Sequence, residues 1–385
     1  MKVLWLASVS IIPGHSAHPT PWIMTLAEAL SRMGIQITIV NYNHNQKEKI
    51  VTISNNNITL INLKSPDPKI DFLTLYQIRI RTVRKFLKSI ISQFDLVHIH
   101  GTEHQYEAMA YGLHKNTLIS IQGILNEYIK VFPKTHLKQY LLWKLSTFYE
   151  RMYISKYTYF SCRTHWDSNF VRSINPTASI AMIWEMIRED FFADHYNFSS
   201  KTILFVGGKN PIKGLKELLY AFNNSLQKNG FKLIILGNCS GGDIKNIIDT
   251  NDLTSIDISN IDCRGMQNVS GIIQAYNDSF CLVHPSYIDN SPNSICEAQL
   301  SGLPVIATNV GGVSSLIKNG ETGILINRDS NSIEEAVSSL YNDQELWHRI
   351  SSQSKVVARK RHNPDQIIDQ TVTMYKVLME QKCTY

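Results

Sequence analysis

One local plan occurs twice in this chain, about 200 residues apart, and few folds accommodate both copies. Residues 2–8 read as a strand and residues 9–20 as a long loop. A helix follows, with Thr20 as its cap and Pro21 in the first position, where a missing amide hydrogen costs nothing. Trp22, Ile23, Leu26, Leu30 and Met33 give that helix an apolar face, Gly34 stops it, and residues 35–42 return as a strand. The plan restarts with a strand at 202–206, then Gly207-Gly208, a helix with Leu215, Leu218, Leu219, Phe222 and Leu226 inward, Gly230, and a strand at 232–236. Two such starts imply two doubly wound α/β domains, not one continuous sheet.

The first half continues the alternation: strand 58–63, helix 75–92, strand 96–100, helix 105–113, strand 117–122, strand 157–162, helix 166–174. The reading therefore places a first domain at 1–184, a polar linker at 185–200, a second domain at 201–363 and a last helix at 364–385 with Ile367, Ile368, Val372, Tyr375 and Leu378 available to pack. A chain of 385 residues is long enough for two such cores.

In the second half an apolar strand at 280–283 runs into the polar loop His284-Pro285-Ser286-Tyr287-Ile288-Asp289-Asn290-Ser291. Pro292-Asn293-Ser294 then opens a short helix ending at Gly302, followed by Leu303-Pro304-Val305 and Gly311-Gly312. Asp289 lies in the loop and Glu297, eight positions on, is read in the first turn of the helix, both facing one crevice. Open amides and a positive dipole end suit a phosphate, whereas carboxylates suit hydroxyls. A nucleotide-sugar presents both.

This segment resembles the donor-binding signature of family 4 retaining glycosyltransferases of the GT-B fold, in which two acids are separated by seven residues. The family usually has Glu where Asp289 stands. The resemblance implies an α/β GT-B architecture: two doubly wound, Rossmann-like domains facing a central cleft, with the C-terminal helix crossing back onto the first. It also implies that Glu297 holds the ribose, that Asp289 lies against the donor sugar, and that amides following Asn293, those of Ser294 and Ile295, bind the diphosphate. Lys213, before Gly214, matches the family's diphosphate-binding lysine, and a cation there would neutralise the leaving phosphate. An arginine often found five positions earlier is Gly208 here, with Lys209 beside it as the candidate substitute. Gly14 falls where the family has glycines near the donor phosphates, with His15 and His18 as its neighbours. Gln122-Gly123 occupies the place of a His-Gly pair beside the donor sugar. The segment Ser161-Cys162-Arg163-Thr164-His165-Trp166-Asp167 resembles the end of the first domain in bacterial members.

His98 and His100 alternate with Val97 and Ile99, so they share one face of a strand, and His100 ends it at the carboxyl edge where open sheets bind ligands. His100 is an acceptor-side candidate, with a structural histidine as the equal alternative. Glu103 and His104 nearby do not complete a zinc array, and the family is metal-independent. No cofactor is expected: Gly207-Gly208 lacks the full dinucleotide spacing, and no Walker motif is present.

Six cysteines, at 162, 239, 263, 281, 296 and 383, show no paired spacing and suit a reduced, cytoplasmic protein. A net charge of +6 is too mild to imply nucleic-acid binding. Arg81, Arg84, Lys85 and Lys88 form a basic helix face that makes an anionic membrane surface a candidate partner at the inner face of the cell membrane. The implied function is retaining, metal-independent transfer of a sugar from a UDP- or GDP-linked donor to a glycan or lipid-linked acceptor, in bacterial surface-polysaccharide synthesis. A nucleotide-sugar epimerase of the same architecture and a non-catalytic nucleotide-sugar-binding protein are the alternatives.

Overall fold

The computed structural model describes residues 1–9, 21–193 and 200–380. Met1–Met186 together with the chain from His362 form one compact unit, and Ile187–Arg361 form a second. The first unit is built on eight strands: β1 (Lys2–Leu6), β2 (Gln36–Asn43), β3 (Ile50–Asn55), β4 (Ile58–Lys64), β5 (Leu96–His100), β6 (Thr117–Ser120), β7 (Tyr159–Cys162) and β8 (Ser179–Met182). Their order is β3-β4-β2-β1-β5-β6-β7-β8, parallel except for β3 against β4. The second unit holds β9 (Thr202–Val206), β10 (Lys232–Leu236), β11 (Ile261–Gly265), β12 (Cys281–His284), β13 (Val305–Thr308) and β14 (Ile324–Ile326), in the order β11-β10-β9-β12-β13-β14, all parallel. In each sheet the winding reverses beside the first strand, at β1/β5 and at β9/β12. Neighbouring loops diverge there and leave a crevice at the strand carboxyl ends. The two doubly wound sheets are those expected.

Three strands were not expected. β3 pairs with β4 across a tight turn in which Asn56 adopts φ +51, a conformation asparagine tolerates. Its residues are mostly exposed, so the strand has no apolar run. β8 and β11 are edge strands with no fully buried residue. The helix expected at 105–113 is only Tyr106–Ala110, held at its start by Gln105 at φ +57.

The helix Pro364–Glu380 belongs to the first unit, as expected of a helix that crosses back. Ile367, Met374, Tyr375 and Leu378 are buried with Val3, Trp5, Ile37 and Leu96, and Ile368 and Val372 pack at the margin. Trp5 Nε1 donates to the Tyr375 hydroxyl (3.1 Å), and that hydroxyl lies 2.7 Å from His98 Nδ1. His98 Nε2 is 2.6 Å from Ser120 Oγ. The Tyr375 hydroxyl thus serves both the indole N–H and Nδ1, while Ser120 takes Nε2. Tyr375→Phe therefore strands a buried indole N–H and a ring nitrogen. It should lower unfolding stability by about 2 kcal/mol in denaturant titrations.

Candidate active site

The second unit's site is made by the two loops at its winding reversal. After β9, Gly207 and Gly208 turn the chain against Asn238; at Gly208 φ is +55 and an added Cβ would sit 2.6 Å from the Asn238 amide nitrogen. The Asn210 side chain accepts from the Ile212 amide, Pro211–Lys213 make one tight turn, and Gly214 leaves it at φ +77. A Cβ on Gly214 would meet the Pro285 carbonyl oxygen at 2.0 Å. The loop after β12 is stitched to this turn where the Tyr287 amide donates to the Ile212 carbonyl (2.8 Å).

That stitching brings together two residues 76 positions apart. Lys213 Nζ lies 2.5 Å from Asp289 Oδ2, and His284 Nε2 lies 3.0 Å from the same oxygen. Ser286 Oγ is 2.9 Å from His284 Nε2. Gly312 donates its amide to the Asp289 carbonyl (2.9 Å), and Gly311 at φ +54 packs so closely that a Cβ would be 2.0 Å from that oxygen. Burial alone would raise the Asp289 carboxyl, but Lys213 and His284 outweigh it and hold the group well below the usual carboxylate range. Burial lowers His284, so its neutral ring donates from Nε2.

Glu297 sits on the helix Asn293–Ser301, which Pro292 precedes and Gly302 ends in the left-handed conformation. It is the fifth residue of that helix and so lies in the second turn, not the first. The Ile295 amide closes the first turn onto the Pro292 carbonyl (3.0 Å), whereas Ser294 has no acceptor for its amide among the described residues. Of the two expected amides, Ser294's is the open one. Glu297 is 7% exposed; Arg188 approaches Oε1 at 3.4 Å and the Tyr276 hydroxyl donates to Oε2 at 3.2 Å. Burial pushes its carboxyl up to about 7, against the pull of Arg188 and Tyr276.

The other expected residues lie elsewhere. Lys209 pairs with Asp243 (2.8 Å), which also caps the helix Gly241–Thr250, and so it is not part of the Lys213–Asp289 group. Gly14, His15 and His18 lie outside the described residues. In the first unit His100 is buried at the end of β5, its ring 3.9 Å from that of His98 and 4.3 Å from Trp5. It borders a cavity of about 40 Å³, room for a water. Burial, His98 and Arg163 hold its basicity well below that of free histidine. Gln122 follows β6, and the Gly123 amide beside it donates to Glu103 Oε1 (2.6 Å). Burial pushes the Glu103 carboxyl up to about 7.

Sequence reasoning missed Arg188, Tyr276 and His284. Arg188 falls in the stretch read as a linker. His284 carried a signal, since it ends an apolar strand at the carboxyl edge. Nothing local marks Tyr276.

Residues 200–343 match the family described as Glycosyl transferases group 1. That matched stretch lies within the second unit. Lys213, Asp289 and Glu297 all lie among the matched residues. Among curated proteins the chain is similar to the capsular polysaccharide biosynthesis glycosyltransferase CapM of Staphylococcus aureus, 28% identical over 179 residues, 46% of each chain. The chain spans less than half the length of the curated relatives it matches. The fold is GT-B. The structure superposes on sucrose-phosphate synthase from Thermosynechococcus elongatus with a TM-score of 0.80, at 14% identity, over 99% of this chain and 100% of that one. It superposes on Anabaena HepE, solved in complex with UDP and glucose, with a TM-score of 0.70, at 14% identity, over 98% and 100%.

Proposed function

We propose that the chain transfers a sugar from a UDP- or GDP-linked donor to a hydroxyl of a glycan or lipid-linked saccharide, with retention of anomeric configuration and without a metal, in the building of bacterial surface polysaccharide. The observation that carries this reading is the Lys213–Asp289 contact at the carboxyl ends of β9 and β12, in the same unit as the open Ser294 amide. Similarity to CapM supports the polysaccharide setting, and HepE's complex with UDP supports the donor class.

In this reading the donor diphosphate takes the Lys213 ammonium and the Ser294 amide, with Asn293 and Ile295 shaping the turn that presents that amide. Drawing Lys213 toward phosphate frees Asp289 to accept from sugar hydroxyls, while Glu297 accepts from the ribose. The acceptor oxygen bonds to the anomeric carbon on the face that the phosphate leaves. The carbon–phosphate oxygen bond breaks, and the acceptor proton passes to that phosphate oxygen. Lys213 offsets the charge that builds there. His100, Gln122 and Gly14 are the first-unit candidates beside donor or acceptor. With its lowered basicity, His100 would serve as a neutral hydrogen-bonding group.

Purified protein warmed with UDP, GDP or ADP in the presence of EDTA tests the donor half. One nucleotide should stabilise the fold by about 2.7 kcal/mol at a hundredfold excess over its dissociation constant. No stabilisation by any of the three would overturn the reading. Donor consumed without an acceptor, giving an epimerised sugar, would assign the epimerase, and binding without turnover would assign a sensor.

A further inference from the structure

Arg188 precedes the short helical turn Glu189–Phe192, and that turn is fixed to the helix Asn293–Ser301 without it. Phe191 is fully buried with its ring 5.8 Å from that of Tyr276, and its carbonyl accepts from Ser301 Oγ (3.2 Å). The Arg188 guanidinium lies 5.1 Å over the Phe191 ring, so the anchored turn also sets where the cation points. It points at Glu297 Oε1 from 3.4 Å, longer than the roughly 2.8 Å of a closed charge-assisted bond. Arg188 Nε is buried with no acceptor among the described residues. Buried donors left open are few in native folds, and a ligand site is one place that keeps them.

The Glu297 carboxylate is held from two sides, with one donor to each oxygen. Arg188 faces Oε1, and Tyr276, from the helix Val269–Asp278, donates to Oε2 at 3.2 Å. These are the charged and titratable groups that face Glu297 among the described residues. An ionised carboxylate offers about four lone-pair positions. Two are engaged here, which leaves one on each oxygen, the pattern that the neighbouring 2′ and 3′ hydroxyls of a ribose require. Only the ionised form keeps both open, since a proton on either oxygen takes one of them. Burial favours that proton, and Arg188 opposes it.

We propose that Arg188 is a positioning residue for nucleotide binding, a cation that keeps Glu297 charged and turned so that both its oxygens accept from the ribose diol. The inference rests on the assignment of Glu297 to the ribose in the reading above. Calorimetry with UDP or GDP, whichever binds, and with its 2′,3′-dideoxy analogue tests it, because the analogue keeps the base and diphosphate and lacks only the diol. Arg188→Met should bind the natural nucleotide about fivefold more weakly at pH 7, and the climb of affinity with pH should move up by about one unit. Its binding of the dideoxy analogue should match that of the wild type at every pH. Arg188→Lys should recover most of the loss, because it keeps the charge. In Glu297→Gln the same Arg188→Met change should cost nothing further. Tyr276→Phe, which keeps the ring against Phe191, should show the same diol-dependent loss and carries the test if Arg188→Met misfolds. Equal losses for nucleotide and analogue, or no loss in a folded variant, would leave Arg188 a mere fastening and overturn the proposal. A wild type that binds neither nucleotide overturns the donor reading itself, and the proposal falls with it.

Discussion

Lys213→Met should lower kcat/KM for sugar transfer by about 10² to 10³-fold, the loss that follows removal of one group aimed at developing charge. The same change alters stability, because Asp289 then keeps a buried carboxylate beside the His284 ring and Ser286 without its lysine cation. Removing one partner of a fully buried pair costs roughly 3–5 kcal/mol. With the Lys213 side chain 24% exposed, about 2 kcal/mol is expected here. Asp289 is depressed in the fold, so the stability it lends is present above the unfolded value of 3.8 and is lost as pH falls below it. In Lys213→Met that acid-side loss should flatten. Lys213→Met with Asp289→Asn should regain most of the stability and none of the activity. Urea titrations at several pH values, run beside transfer assays, check both. Full activity in the single variant would remove Lys213 from the chemistry.

Glu297→Gln should weaken UDP binding about tenfold, since hydroxyls donating to a carboxylate form stronger bonds than those to an amide. Its pH signature runs opposite to that of Asp289. A carboxyl raised to about 7 from 4.5 favours the neutral form in the fold. The stability it contributes is complete below 4.5 and is lost as pH rises through 7, a difference of about 3 kcal/mol between pH 4 and pH 8. The glutamine variant should lose that slope. Hydroxyl binding favours the ionised form, so wild-type UDP affinity should climb from pH 6 to pH 8 while that of the variant stays level. Calorimetry across that range measures it. A level wild-type profile would assign Glu297 to the Arg188–Tyr276 contact alone. Glu297→Ala is the poorer probe, because it leaves Arg188 without that carboxylate in a largely buried setting.

Apolar periodicity carried the two central sheets, since β1, β9, β10 and β12 are buried runs that could be nothing else. It failed at β3, β8 and β11, where one face or an edge meets water and the pattern fades. Lys213, Asp289 and Glu297 were legible through motif and loop position. Their partners were not, because Arg188 approaches Glu297 from 109 residues away and Lys213 meets Asp289 across 76. Such distances close only when the sheet order is known. The partner of Lys209 was equally hidden, because Asp243 lies 34 residues on and its place in the capping box of the helix Gly241–Thr250 shows only once that helix is seen.

The Tyr375 hydroxyl, bonded to Trp5 and facing His98 across 277 residues, sets an order of assembly. During synthesis the second unit has every strand it needs before the ribosome reaches Pro364. The first unit, although made first, waits with the β1–β5 side of its sheet uncovered until that last helix emerges. Any arrest or truncation between the two events leaves a folded second half attached to an unfinished first, with Val3, Trp5 and Leu96 open to whatever apolar surface arrives.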